Sequence, residues 1–233
     1  MKFKFMILLI LIFASILTAC SAANNIGIKS TIDWVDFVIL NDIHYTRNYQ
    51  DNYKLSDDSI DGLFGKVKFN VSENIDQPNY KFKNGDSAFL PKGTKLYKMK
   101  EYKPEFRIAV KVDEEWLIYE ADTNTKAKKG GDLLDIRDKV LYIGINSETD
   151  GKTELGAIKD KDIIDKMVNM VLNGEVNQSL QNHDGQRYFI SFHLIDGSDV
   201  TKCYWIDACE LQRGIILSKE FGIEISRTLE NKN

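Results

Sequence analysis

The sequence predicts an α+β protein, in which an antiparallel β domain over residues 32–122 precedes a smaller α+β domain over residues 132–233. Three observations lead to this class. Apolar residues alternate with a period of two through most of the first half, which is typical of half-buried strands. Two later segments instead carry apolar residues three or four apart, as amphipathic helices do. A polar stretch over residues 122–131, which ends in two glycines, separates the two patterns.

The first residues of the chain carry an export signal. Two lysines precede an uncharged, apolar run over residues 5–19, which is shorter than the roughly 20 residues that a helix needs to cross a bilayer. The run ends in the sequence Leu17-Thr18-Ala19-Cys20. This order of an aliphatic residue, two small residues and a cysteine resembles the lipobox of bacterial lipoproteins, whose peptidase cuts before the cysteine once its thiol carries a diacylglyceryl group.

The lipobox resemblance implies where the protein is located. Residues 1–19 would be a lipoprotein signal peptide, and Cys20 would begin the mature chain with a diacylglyceryl group whose acyl chains, such as palmitate, enter the membrane. We therefore expect a lipid-anchored protein on the outer face of the cell membrane. Residues 20–31 are small and polar, and we interpret them as a lipidated tether. A plain secretory signal with an accidental cysteine is the alternative.

Strands account for most of residues 32–122. Alternation predicts them at residues 32–40, 66–71, 95–100, 106–112 and 116–119. Residues 45–60 are polar and aromatic, which indicates a long connection. Asn84-Gly85 suits a type I′ turn, so a hairpin is expected around it, and residues 90–93 predict a further turn. Together these elements predict a small antiparallel β structure that is closed or nearly closed.

The second half predicts the order β-α-β-β-β-α. Strands are expected at residues 139–145, 188–194, 201–206 and 215–217. Asp160 is placed to cap the first helix, whose apolar stripe runs to Leu172 and which a left-handed Gly174 is expected to end. Ser218 is placed to cap the second helix. Helices and strands combined in this order are an α+β pattern.

Eight short runs of the sequence form a set that spans both halves. In the second half they are residues 161–172, 188–192, 196–197, 203–206 and 214–218. In the first half they are residues 84–90, 92–94 and 102–107. The set resembles a family of lipoproteins from Gram-positive, Bacillus-like bacteria. The resemblance implies an anchored surface protein with a small α+β extracytoplasmic C-terminal domain, and it supplies no catalytic residue.

The charge balance argues against a nucleic-acid partner. The chain has 31 Lys and Arg against 35 Asp and Glu, whereas binding to phosphates needs a surplus of cations on at least one face. Four residues match positions of an EF-hand calcium loop, but the twelfth position holds Lys68 instead of a bidentate glutamate. They are Asp57, Ser59, Asp61 and Gly62. We interpret the segment as a solvated acidic turn, and the sequence predicts no metal or cofactor.

The histidines and cysteines leave an enzyme open as an alternative. The three histidines, His44, His183 and His193, lie too far apart in the sequence for the usual spacing of a zinc site. Cys203 and His193 have the chemistry of a nucleophile and its base, but no oxyanion loop or Gly-rich loop accompanies them. Cys203 and Cys209 can form a disulfide only if the chain turns between them, so bridged and free thiols both stay open.

Three tyrosines give the only clue to binding. Tyr45, Tyr49 and Tyr53 lie four apart in a polar stretch with nearby cations, which suits the capture of a glycan or peptide. The alternative is that they pack a long loop onto a sheet. The sequence thus favours a non-enzymatic binding module of the cell envelope, whose partner is an envelope protein, a peptide or a wall component. The alternative function is an envelope hydrolase or transferase whose site the sequence does not reveal.

Overall fold

The structure, a computed structural model, describes residues 32–49, 54–77, 79–178 and 185–231. The predicted signal peptide, the lipidated Cys20, the tether, Tyr53 and His183 lie outside the described residues. Within them the protein is mostly β-sheet, with two sheets and three helices, which confirms the α+β class.

Fifteen strands and three helices make up the described part of the chain. The first eight strands are β1 (Phe37–Leu40), β2 (Ile43–Asn48), β3 (Ile60–Lys66), β4 (Phe69–Asn70), β5 (Asp86–Ser87), β6 (Lys95–Met99), β7 (Arg107–Val112) and β8 (Glu115–Asn124). The other seven are β9 (Val140–Asn146), β10 (Glu154–Ile158), β11 (Glu175–Val176), β12 (Arg187–Leu194), β13 (Asp199–Trp205), β14 (Glu210–Leu211) and β15 (Ile215–Ile216). The helices are α1 (Val71–Asn74), α2 (Lys161–Asn173) and α3 (Lys219–Glu230).

The first sheet curls until its two edges approach each other. Its strands are hydrogen-bonded in the order β3-β6-β7-β8-β2-β1-β5-β4, and all neighbours are antiparallel except β5 and β4. β3 and β4 stand at opposite ends of this order, yet only Val67 and Lys68 join them along the chain. Two linking residues span about 11 Å at most, so these strand ends must lie close together. Leu40 of β1 also packs directly against Gly65 of β3, as a closed or nearly closed structure requires.

The second sheet carries α2 and α3. Its strands follow the order β10-β9-β12-β13-β14-β15-β11. Asp160 caps α2 as predicted, because its carboxylate accepts the backbone N–H groups of Asp162 and Ile163. The predicted stripe of α2 is buried at Ile164, Met167, Val168, Val171 and Leu172. Ser218 occupies the N-cap position of α3, although its hydroxyl makes no capping bond.

Two predictions in the first half are wrong, one of a connection and one of a strand. The supposed long connection over residues 45–60 contains most of β2 and begins β3. Asn41 and Asp42 have φ angles of 53° and 65°, which suit a type I′ turn and fold β1 directly back onto β2. The strand predicted over residues 66–71 is mostly replaced by the two-residue β4 and the start of α1, because the Asn70 side chain caps that helix at Glu73 N–H.

The hairpin predicted around Asn84-Gly85 is also wrong, although the turn itself is present. Gly85 has a φ of 99°, but Asn84 lacks the positive φ that the predicted type I′ turn requires at its first central residue. Residues 80–83 form no strand; β5 instead pairs with β1 and, in parallel, with β4. The carboxylate of Asp86 accepts the Tyr80 hydroxyl and the Lys83 N–H, and these bonds hold the segment apart from the sheet.

In the second half, the strand β10 was missed and the reason given for Gly174 is wrong. Gly174 ends α2 with a φ of −55°, so it does not adopt the left-handed conformation. A glycine is required there for space, because a Cβ would lie 2.7 Å from the carbonyl oxygen of Ile216. The strand predicted at residues 215–217 is therefore packed directly against the end of the helix.

The two sheets belong to one compact unit. Trp34–Ile75 and Tyr80–Asn233 are grouped together by their contacts. The largest hydrophobic cluster draws on both sheets, with Phe106 from the first half and Phe192 from the second. The boundary predicted at residues 122–131 begins inside β8. The largest cluster therefore spans both sheets, while a second cluster of eleven buried residues lies within the first half alone.

A buried arginine joins the sheets. Arg107 of β7 is fully buried, and its guanidinium donates to the Glu120 carboxylate of β8. It also donates to the hydroxyl of Ser198 at 2.7 Å and to the carbonyl oxygen of Asp199 at 2.8 Å, across the junction. Burial opposes the ionisation of Glu120, but the charges of Arg107 and Lys202 hold its pKa below the ordinary value. We interpret this network as structural.

Candidate functional site

A groove opens where β2 ends and β8 begins. The register pairs Asn48 of β2 with Ile118 of β8, and next to this pair lies a cavity of about 450 Å³. Leu55, Leu117 and Ile118 contribute apolar atoms to its lining. We call it the β2–β8 groove and define it by six side chains, Arg47, Tyr49, Lys54, Glu114, Glu115 and Trp116.

The indole of Trp116 is held in a fixed orientation. Its N–H donates to the Asp57 carboxylate at 2.6 Å, and the Tyr97 ring meets it edge-on with centroids 5.3 Å apart. Lys111 lies 5.5 Å from the indole centroid and 3.3 Å from Asp57. The Trp116 N–H and the Lys111 ammonium hold the pKa of Asp57 below its ordinary value. An aromatic ring ordered in advance loses little entropy when a partner binds.

Tyr49 presents an exposed ring at the same groove. The side chain is 69% exposed, and the Arg47 guanidinium lies 4.6 Å from the ring centroid, within cation–π distance. Arg47 lies 3.7 Å from the Asp36 carboxylate, which also accepts the Tyr49 hydroxyl at 3.5 Å. The ring is therefore positioned by its charged neighbours while its surface stays open to solvent.

The rim of the groove carries both signs of charge. Arg47 and Lys54 contribute cations from the β2 side. Glu114 and Glu115 contribute carboxylates from the turn between β7 and β8. That turn is tight, because Asp113 and Glu114 both have positive φ angles, as in a type I′ turn. The groove can therefore contact a partner through aromatic faces and through charges of either sign.

The three tyrosines predicted to bind do not form one site. Tyr45 is fully buried in β2, and its hydroxyl donates to the carbonyl oxygen of Pro104 at 2.8 Å. Tyr45 is therefore a core residue, as the packing alternative expects, and not an exposed binding residue. Tyr49 lines the groove, and Tyr53 lies outside the described residues.

A second surface is built from five aromatic rings. Successive rings meet edge-on or stacked, with centroids 4.9 to 6.1 Å apart. We call them the aromatic surface, and they are Trp34, Phe37, Phe69, Tyr80 and Phe82. Phe82 is 43% exposed, Phe37 is buried, and the other three are partly exposed. Trp34, Phe69 and Tyr80 also pack against a small cluster formed by the buried Phe37, Val71 and Ala88, so the rings combine a buried base with a partly exposed outer edge.

The structure does not bring His193 and Cys203 together. On the paired strands β12 and β13, His193 lies opposite Asp199 and Cys203 lies opposite Phe189. Four residues along a strand separate these positions, which is about 13 Å. Cys203 is buried and burial raises the pKa of its thiol, whereas a nucleophile needs a lowered pKa. Cys203 and Cys209 are both free, so the disulfide alternative is not realised in this structure.

The EF-hand-like segment forms a 3₁₀ turn, Asp57–Ser59, and then continues as β3, where an EF-hand would need a second helix. Within the described ranges, no group of three or more His, Cys, Asp or Glu side chains is arranged to hold a metal ion. The helices of those same ranges are all too short or too polar to cross a membrane.

Comparisons with protein-family models, curated proteins and solved structures give no match to this chain. The groove and the aromatic surface must therefore be interpreted from their own chemistry.

Sequence reasoning found Tyr49 but missed Trp116 and the aromatic surface. Trp116 begins a strand that was correctly predicted, and alternation alone does not show that its ring lines a groove. A usable signal existed for the aromatic surface, because residues 80–83 alternate aromatic residues with lysines. That pattern was interpreted as part of a hairpin, which is why its surface chemistry was overlooked.

Proposed function

We propose that the protein is a lipid-anchored binding module on the outer face of the cell membrane, and that its β2–β8 groove captures a peptide segment of an envelope protein or of the wall. The observation that carries the proposal is a cavity of about 450 Å³ whose lining includes both the fixed indole of Trp116 and the exposed ring of Tyr49. Aromatic side chains in such positions commonly dominate binding energy. The lipid anchor is supported by the lipobox-like sequence that ends at Cys20.

The charges of the groove favour a peptide over an uncharged glycan. Arg47 and Lys54 face a partner from one side, and Glu114 and Glu115 from the other. A peptide supplies side chains of either sign together with backbone donors and acceptors, so it can complement both sides at once. An uncharged glycan would make no ionic contact with any of these groups, of which Arg47 already pairs with Asp36 and Glu114 with Lys111.

Replacement of Cys20 by alanine tests the anchor. The change removes the acylation point, so we expect either an unprocessed precursor or release of the protein from the membrane fraction. Immunoblots of cell fractions measure both outcomes. Cys203→Ser is the matched control, because it removes a thiol far from the signal and should stay processed and membrane-bound. A fully processed Cys20→Ala chain that remains in the membrane fraction would contradict the anchor.

A photo-crosslinking residue at Glu115 tests the groove in intact cells. Glu115 is exposed on the rim, so a bound peptide should be captured there. Adding Tyr49→Ala should weaken capture by about tenfold or more, since loss of an aromatic contact residue commonly costs over 1 kcal/mol of binding energy. Leu141→Ala is the control, because Leu141 is 62% exposed on the other sheet. Equal capture by the two variants would rule out the groove as the binding site.

The hydrolase or transferase alternative is tested with His193→Ala and Cys203→Ser, separately and together. We expect the cellular role to persist, because the two side chains do not converge. Each change is expected to cost on the order of 1 kcal/mol in packing or a lost hydrogen bond, so folded abundance is measured beside the role. Loss of the cellular role in a variant whose folded abundance is normal would favour the hydrolase or transferase alternative.

A further inference from the structure

The aromatic surface is amphipathic. The rings of Trp34, Tyr80 and Phe82 are partly or well exposed, and Lys81 and Lys83 are exposed between and beside them. Aromatic rings and lysine side chains each combine an apolar body with a polar tip. The segment 80–83 therefore presents apolar and cationic groups together on one short length of chain.

This segment has a defined shape. The Asp86 carboxylate, which is 3% exposed, accepts the Lys83 N–H at 2.7 Å and the Tyr80 hydroxyl at 3.0 Å. Phe82 meets Trp34 edge-on at 5.8 Å and Phe37 at 4.9 Å. Burial and the bond to Asp86 raise the pKa of Tyr80, so its hydroxyl stays a neutral donor. The exposed rings are thus held in place before contact with any partner.

A third lysine lies beside the same turn. The side chain of Lys68 passes over Gly85, where a Cβ would lie 2.6 Å from its Cδ. Lys68 is exposed, as Lys81 and Lys83 are. Three cationic side chains near a cluster of exposed rings are complementary to a bilayer interface, where aromatic residues occupy the headgroup level and lysines meet anionic headgroups.

The length of chain before this surface keeps it within reach of a membrane. If Cys20 carries the lipid, Trp34 follows it by fourteen positions in the chain. A chain of that length spans about 50 Å at most. The tether would hold the surface at a high effective concentration near the bilayer, so that even weak contacts would be occupied.

We propose that the aromatic surface docks onto the anionic bilayer in which the protein is anchored, with Trp34 and Phe82 at the headgroup level and Lys68, Lys81 and Lys83 against anionic headgroups. This inference rests on the lipid anchor of the proposed function. It goes further, because the folded unit then lies against the membrane in one orientation.

The test uses the lipidated protein reconstituted in vesicles that carry brominated lipid, with or without phosphatidylglycerol. The emission of Trp34 is obtained as the difference between the wild type and Trp34→Phe. We expect quenching of Trp34 in vesicles with phosphatidylglycerol, and less quenching in neutral vesicles or at high salt. Lys81→Glu with Lys83→Glu should shift the docking equilibrium toward the free form by at least about fivefold for each lysine.

Lys152→Glu with Lys159→Glu is the matched control, since it changes the net charge equally at two exposed lysines beside the second sheet. A protein that incorporates into vesicles while its Trp34 stays unquenched would overturn the docking inference. Equal quenching of Trp34 in neutral and anionic vesicles would overturn it as well. So would crosslinking of this surface to a second copy that increases with protein concentration, because another protein chain would then cover Trp34. A chain that carries no lipid and fails to incorporate would instead defeat the anchor, so the two failures are distinguishable.

Discussion

Arg107 shows how one residue couples distant parts of this chain. Its guanidinium bonds Glu120, thirteen residues away, and Ser198, which is 91 residues away. Sequence reasoning predicted the Asp160 cap because cap and helix are adjacent in the chain. It had no signal for Arg107, or for the bond of Tyr45 to Pro104, because both depend on partners that only the folded chain brings near. The same limit applies to Trp116, whose partner Asp57 is 59 residues away.

Arg107→Met should strongly destabilise the protein. The change leaves the Glu120 carboxylate buried beside an apolar side chain, which costs about 3–5 kcal/mol of unfolding free energy. Urea denaturation measures the difference from the wild type. Arg227→Met is the control, because Arg227 is exposed and its pair with Glu224 within α3 contributes about 1 kcal/mol or less. Similar losses in the two variants would contradict a structural role for the buried pair.

The pH dependence of Arg107→Met should separate lost charge pairing from lost packing. In the wild type the pKa of Glu120 is lowered, so its contribution is present at neutral pH and is lost only as the pH falls through that lowered value. In the variant, burial without Arg107 should raise this pKa, so the variant should gain stability as Glu120 takes up a proton. The difference from the wild type should therefore shrink between about pH 8 and pH 5. A difference that is constant over this range would indicate packing alone.

At the scale of elements, glycines are required at particular positions for two different physical reasons. Gly62 has a φ of 98° and open space around it, so its constraint is the backbone conformation. Gly130 has no positive φ, but a Cβ there would lie 2.0 Å from the carbonyl oxygen of Val171 in α2. The sequence shows that a glycine is present and not which constraint applies. This is why the end of α2 at Gly174 was placed correctly and explained wrongly.

Gly130→Ala should destabilise the protein more than Gly62→Ala. The alanine at Gly130 collides with helix backbone, and such overpacking costs about 3 kcal/mol or more. The alanine at Gly62 meets no neighbour and carries only the cost of a left-handed conformation, about 1 kcal/mol. Thermal unfolding of both variants gives the comparison. A larger loss at Gly62 would show that the contact with Val171 is relieved by movement of α2.

At the scale of the whole molecule, local patterns predicted the parts better than their arrangement. Alternation predicted β6, β7, β9, β12 and β13, and it led to the expectation of a closed or nearly closed first sheet. The shared core was not predicted, because a hydrophobic stripe does not show which surface will cover it. The change of pattern at residues 122–131 was therefore interpreted as a boundary between cores. In the structure, Gly130 N–H donates to Gly174 and Val176 N–H donates to Lys128, so this segment is bonded to the second sheet and to α2.

The two sheets should unfold together. Trp116 lies in β8 of the first sheet and Trp205 in β13 of the second, so each reports on its own sheet. In variants that retain only one of these tryptophans, with the others changed to phenylalanine, both probes should give the same urea midpoint, because a shared core makes a single cooperative transition. Adding Arg107→Met should lower both midpoints equally. Each background also needs its own unfolding curve by circular dichroism, which corrects for any effect of the tryptophan changes. Separate midpoints, with early protease cleavage at residues 122–131, would support the predicted division into two domains. Coincident midpoints and resistance at that segment would make the protein one folding unit.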